Sequence, residues 1–180
     1  VLAGAMVTSS LTGCGLKDSA TVATVAGDEI PAGLANFYAR MTQAQYESMY
    51  SSYLGDNMWT TEASEGKTYE KLVKDEVLKD LENMYLLEDH MDDYNISLSD
   101  DEKKAIKDAA KEFSKDNDKD DKEKVSGDTE YVERYLTLVT IKQKMTDAIE
   151  AEADTNVTDD EAKQKAMQYV LFSINTTDAN

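Results

Sequence analysis

Apolar side chains recur at three- and four-residue spacing through most of this chain, which is the pattern of helices with one buried face. Leu34, Phe37, Tyr38, Met41, Tyr46, Met49, Tyr50 and Tyr53 predict a first long helix over residues 31–53, ended by Gly55-Asp56-Asn57. Pro31 suits its first turn, where a missing N–H costs nothing. Leu72, Val73, Val77, Leu81, Met84, Tyr85 and Leu87, with Leu78 and Leu86 alongside, predict a second helix over 68–91. Its stripe is the widest, so it is expected to be packed on more than one side. Ser99 with Glu102 three residues later has the form of a capping box. It opens a weakly apolar helix to about Lys115 on Ala105, Ile106, Ala109, Ala110 and Phe113. Tyr131, Val132, Tyr135, Leu136, Leu138, Val139, Ile141, Met145, Ala148 and Ile149 mark another over 129–151. Thr158-Asp159-Asp160-Glu161 repeats the capping pattern and predicts a last helix to about Gln168.

Period-two and continuous apolar runs are few. Thr21–Val25 is β-branched and is followed by the turn-like Ala26-Gly27-Asp28-Glu29, so a short strand, a turn at Gly27 and a second short strand or helix entry at Ile30-Pro31 are expected. Tyr169–Ile174 also reads as a strand, and with no partner after it the chain is expected to be the front part of a longer protein. The segments 58–66, with the only tryptophan, Trp59, and 116–124, almost wholly charged, read as loops. The expected fold class is mainly α: a multi-helix module with a short N-terminal strand or hairpin.

Composition narrows the function. Asp and Glu outnumber Lys and Arg 37 to 19, a net charge of −18. A surface so acidic disfavours nucleic acid, whose binding needs clustered positive charge, and favours solubility. With one Cys and one His, no Ser/His/Asp or Cys/His catalytic set suggests itself, and there is no glycine-rich phosphate loop. His90 lies among Glu88, Asp89, Asp92 and Asp93, but reads as a helix-end cation on an acidic face. Asp116-Asn117-Asp118-Lys119-Asp120 has the oxygen spacing that starts an EF-hand, yet Asp121 stands where glycine is required and Gly127 where a bidentate glutamate is required. No metal and no cofactor are expected.

The run from Val1 to Leu11 carries no charge and is too short to span a bilayer, which takes about 20 residues; it fits the apolar core of a secretory signal. Leu11-Thr12-Gly13-Cys14 resembles the lipobox of bacterial lipoproteins. That resemblance implies cleavage between Gly13 and Cys14 and a lipid on the Cys14 thiol. Residues 1–13 are then a partial signal peptide, 14–20 a tether, and the protein is extracytoplasmic and held to the bacterial cell membrane.

The order of the parts carries a second resemblance. A lipobox is followed by Val22-Ala-Thr-Val-Ala-Gly-Asp-Glu-Ile30, an aromatic-bearing helix, a Lys/Glu-rich apolar helix, Ile96-Ser-Leu-Ser-Asp-Asp-Glu102, a long Tyr/Leu/Val/Ile helix and Val157-Thr-Asp-Asp-Glu161 before an apolar strand. This resembles the N-terminal region of the SurA/PrsA-type extracytoplasmic foldases, the parvulin-associated chaperones. The resemblance implies a helical SurA-N-like chaperone domain over 21–154, then a linker helix and the start of a truncated parvulin-like domain over 155–180. It implies a chaperone for unfolded or partly folded secreted polypeptides. In parvulins the first strand carries an active-site histidine near its start; here Gln168 or Tyr169 falls there, so this stretch alone is not expected to isomerise proline.

Met41, Tyr46, Met49, Tyr50, Tyr53, Met58 and Trp59 are the candidate client-binding residues. Methionine adapts to varied apolar shapes, and tyrosine offers apolar area with a polar tip. The same periodicity serves a plain helix–helix core. Two other readings stay open: the front of an active peptidyl-prolyl isomerase, and a structural or adhesin-like surface lipoprotein with one fixed partner.

Overall fold

The structure, a computed structural model, describes residues 17–55, 57–64 and 66–152. It is a mainly α-helical domain with two small antiparallel hairpins. Cys14, the apolar run before it, the expected last helix and the Tyr169–Ile174 strand lie outside the described residues.

The first hairpin pairs β1 (Thr21–Val25) with β2 (Asp28–Pro31). Its turn residues Ala26 and Gly27 both have positive φ, 53° and 100°; this sense of turn matches the twist of the strands, and glycine adopts it without steric cost. Ile30 is fully buried, while Val22, Ala23 and Val25 cover the core from one side. The hairpin leads straight into α1 (Ala32–Leu54). Two N–H groups that open this helix, on Ala32 and Gly33, donate to the carbonyls of Ala20 and Asp18 at 2.7 and 2.8 Å. The chain before β1 thus satisfies donors that a helix start leaves unpaired.

α2 (Tyr69–Asp89) is N-capped by Thr68, whose hydroxyl accepts from the Lys71 N–H. It is the most enclosed helix, as the width of its stripe predicts: Val73, Val77, Leu81, Met84 and Tyr85 are buried, and α1, β1 and α5 (Thr129–Ala151) pack on it. Ile30, Leu34, Leu81 and Leu138 are completely enclosed at the centre. α3 (Asp100–Asp116) begins with both halves of the expected capping box, Ser99 and Glu102 each bonding the other's N–H. It lies along α5, where a smaller core gathers Phe37, Ala110 and Val132. There the Phe37 ring meets Phe113 and Tyr135 edge-on at 5.5 and 5.6 Å.

Polar clamps fix how the long helices sit. Tyr38 of α1 donates to Asp80 of α2 at 2.7 Å, and Lys142 of α5 closes on both oxygens of the same carboxylate at 2.6 and 2.8 Å. Burial, helped by the Asp80 hydrogen bond, pushes the Tyr38 phenol well above its ordinary range. The end of the expected tether is held too: Ser126 donates to Asp18 at 3.0 Å while accepting from Asn36 at 2.9 Å.

Two expectations about secondary structure need correction. The charged stretch 116–124 is not a loop throughout: residues Lys119–Val125 form a helix, α4, capped by Asp118 and packed against α1. Its charges pair along the helix, Lys119 with Glu123 and Lys124 with Asp121, and Lys122 reaches back to Ser114; such pairs support a helix that apolar periodicity does not reveal. The stretch 58–66 is not plain loop either. It holds a 3-10 turn at Met58–Thr60 and enters a second hairpin, β3 (Glu62–Ser64) with β4 (Lys67–Thr68). Gly66, at φ 74°, takes a left-handed conformation there.

Candidate functional site

α1 and α2 run in opposite directions. Tyr38 meets Asp80, and two turns later Tyr46 comes within electrostatic range of Glu76 and of Tyr69, the first residue of α2. The last two turns of α1 therefore run past the end of their partner. Residues 46, 49, 50 and 53 share one helical face, the face that packs on α2 earlier through Ala35 and Ala39. Beyond Tyr46 no described residue covers that face: Met49 is 53% exposed, Tyr50 41% and Tyr53 86%.

Tyr46, half-buried, joins this face to the core. Its ring lies 5.6 Å from that of Tyr50 and 6.2 Å from that of Trp59. Trp59 is half-buried and its indole N–H donates to Glu47 at 2.8 Å, the oxygen that also accepts from Gln43. These two hydrogen bonds, Gln43 first and Trp59 second, hold the Glu47 carboxyl below its usual range. The indole is thus oriented by a charged acceptor with its ring beside the tyrosines.

Of the seven candidate residues, Tyr46, Met49, Tyr50, Tyr53 and Trp59 fall in this one region. Met41 is 42% exposed but lies on another side of α1, one turn after Phe37. Met58 is a correction: at 2% exposure it belongs to the core, because the 3-10 turn that carries it packs on α2.

Compared with family models, curated proteins and solved structures, the chain matches none.

Beside the aromatic cluster lies a cleft of about 290 Å³ between α1 and α2, lined by Ala39, Arg40, Gln43, Trp59, Val73 and Lys74 among others. Periodicity did not single it out, since it forms only where two helices meet. Its one legible sign is Arg40, one of two arginines in a chain with 37 acidic residues.

Elsewhere the titratable groups serve structure. His90 caps the end of α2, exposed, with Nδ1 2.7 Å from Asp93, and that hydrogen bond raises its pKa. Among the described residues no group of three or more His, Cys, Asp or Glu side chains could hold a metal ion, and no helix is long and apolar enough to cross a membrane.

Proposed function

We propose that this chain is the client-binding module of a lipid-anchored extracytoplasmic foldase of SurA/PrsA type, holding unfolded or partly folded secreted polypeptides close to the membrane. The observation that carries the reading is the uncovered face of α1: Met49, Tyr50 and Tyr53 stand in solvent on consecutive turns, continuous with Tyr46 and Trp59. A contiguous apolar patch is how a protein marks a docking surface. Methionine and tyrosine make such a patch adaptable, so it accepts many sequences weakly. Binding is burial of client side chains, with no covalent step. The acidic remainder of the surface keeps the loaded complex in solution. Cys14, with the lipobox before it, supplies the anchor.

Aggregation of several unrelated unfolded proteins, followed by light scattering, tests this. The module is expected to suppress all of them at comparable ratios. Suppression of none, with tight binding to one native partner, would replace the chaperone by a single-partner surface lipoprotein. Membrane fractionation tests the anchor: Cys14→Ala is expected to move the protein out of the membrane fraction, and retention there with an unchanged N-terminus would contradict it.

A further inference from the structure

The cleft between α1 and α2 differs in chemistry from the Met/Tyr face it adjoins. Its charged lining is Arg40, Lys74 and Glu70; Lys74 is paired with Glu70, which leaves Arg40 as the net positive charge of the cleft on a chain of net charge −18. The other arginine, Arg134, is closed on Glu88 by two hydrogen bonds of 2.6 Å. Arg40 has no carboxylate within ion-pair distance among the described residues; its one side-chain hydrogen bond goes from Nη1 to the amide oxygen of Gln43 at 2.7 Å. A guanidinium carries five donors, so four remain. Lys74 uses one of its three on Glu70. Of the other polar groups there, Asn36 donates to Ser126 and the Lys124 carbonyl, Gln43 donates to Glu47, and Glu70 accepts from Lys74; Glu47 lies within reach of the Arg40 charge, which helps to lower its pKa. Apolar surface from Ala39, Val73 and the Trp59 ring lies alongside.

We propose that this cleft holds an aspartate or glutamate side chain of an extended client segment, paired with Arg40, while a neighbouring apolar side chain of the client lies on Trp59 and leads onto the Met49–Tyr53 face. The proposal rests on the client-binding reading above and gives it a preferred substrate: segments in which an acidic residue stands beside apolar ones. Charge complementarity selects the occupant, because the spare donors form the fork geometry that matches a carboxylate. They are side-chain donors. Arg40 and Gln43 sit inside α1, where backbone N–H groups are already bonded, so there is no backbone nest of the kind that captures a chain terminus. An internal acidic side chain fits this better than a C-terminal carboxylate.

Trp59 is the only tryptophan, so its fluorescence reads the cleft directly, with calorimetry as a second readout. The whole chain carrying Cys14→Ala is titrated with three short tryptophan-free peptides of one apolar sequence. The first has a central glutamate and blocked ends, the second a glutamine in its place, and the third is the glutamine peptide with a free C-terminal carboxylate. The glutamate peptide is expected to bind about fivefold tighter than the other two, the worth of a partly exposed charge pair, with the margin shrinking as salt rises. Arg40→Gln is expected to remove that margin and leave glutamine-peptide binding unchanged, while Arg40→Lys keeps part of it. Equal affinity for all three peptides, a margin that survives Arg40→Gln, or binding of none overturns the proposal. A free-carboxylate peptide as tight as the glutamate peptide overturns the side-chain assignment. Aggregation suppression on the same sample separates the two readings: if it persists without any glutamate preference, the cleft proposal alone has failed.

Discussion

Arg134 of α5 closes both terminal nitrogens on the two oxygens of Glu88 in α2, each at 2.6 Å, with its guanidinium 4.6 Å from the centre of the Tyr85 ring. The two side chains are 30% and 27% exposed, so the pair is partly desolvated. Removing one partner leaves the other charge half-buried and alone. Glu88→Gln is expected to cost about 2 kcal/mol, less than for a fully buried pair because solvent still screens it. Chemical denaturation measures this. A double-mutant cycle with Arg134→Met should show clear coupling, whereas additive single effects would mean the pair contributes nothing of its own.

Glu102 does two jobs at the start of α3. It accepts from Lys144 of α5 at 2.8 Å with both oxygens, and from the Ser99 backbone N–H at 2.7 Å. The Lys144 hydrogen bond first, then the Ser99 bonds, hold its pKa at about 2, against an ordinary 4.5. A carboxyl whose pKa is lower in the folded state stabilises the fold fully above its unfolded value and stops doing so as pH falls through the folded one. The stability difference between the native chain and Glu102→Gln is therefore expected to be constant at neutral pH and to fade between about pH 4.5 and 2. Urea melts at a series of pH values check this; a difference unchanged down to pH 2 would contradict it.

Gly33 lies where α1 passes the Tyr131 ring. A Cβ there would sit 2.4 and 2.6 Å from two ring atoms and 2.9 Å from the Asp18 Cβ. Alanine is otherwise the better helix residue by about 1 kcal/mol, so the sign of Gly33→Ala decides between propensity and crowding. Overpacking is expected to win, with a net loss of about 1–2 kcal/mol. The loss should shrink when Tyr131 is also cut to alanine; a stabilised Gly33→Ala would show that the ring simply moves aside.

Much of the helical layout was legible because α1, α2, α3 and α5 each carry an apolar period and recognisable ends. Ser99 with Glu102 and Ala26 with Gly27 announced their local geometry directly. α4 escaped notice because a helix held by an Asp118 cap and lysine–carboxylate pairs has no apolar stripe to read. The second hairpin escaped because β3 and β4 are three and two residues long, too short for alternation. The candidate site was half legible. Met49 and Met58 are alike as sequence, yet one stands in solvent and the other is enclosed. What separates them is where α2 begins relative to α1, a tertiary fact that local periodicity does not contain. The Arg40 cleft needed two helices side by side before it existed at all.

The uncovered face of α1 is the central claim, and aspartate substitutions test it most directly. Met49→Asp with Tyr53→Asp, compared with Met58→Asp, are followed by a circular-dichroism melt and an aggregation assay on each sample. On an exposed face the double variant should keep its helical signal and lose little stability, at most about 1 kcal/mol from a negative charge near the end of a helix, while its hold on unfolded clients weakens strongly. Met58→Asp buries an uncompensated charge and should cost several kcal/mol, so that the domain melts early or fails to fold. If instead the Met49/Tyr53 variant unfolds, or stays folded and holds clients as well as the native chain, the account of this face is wrong.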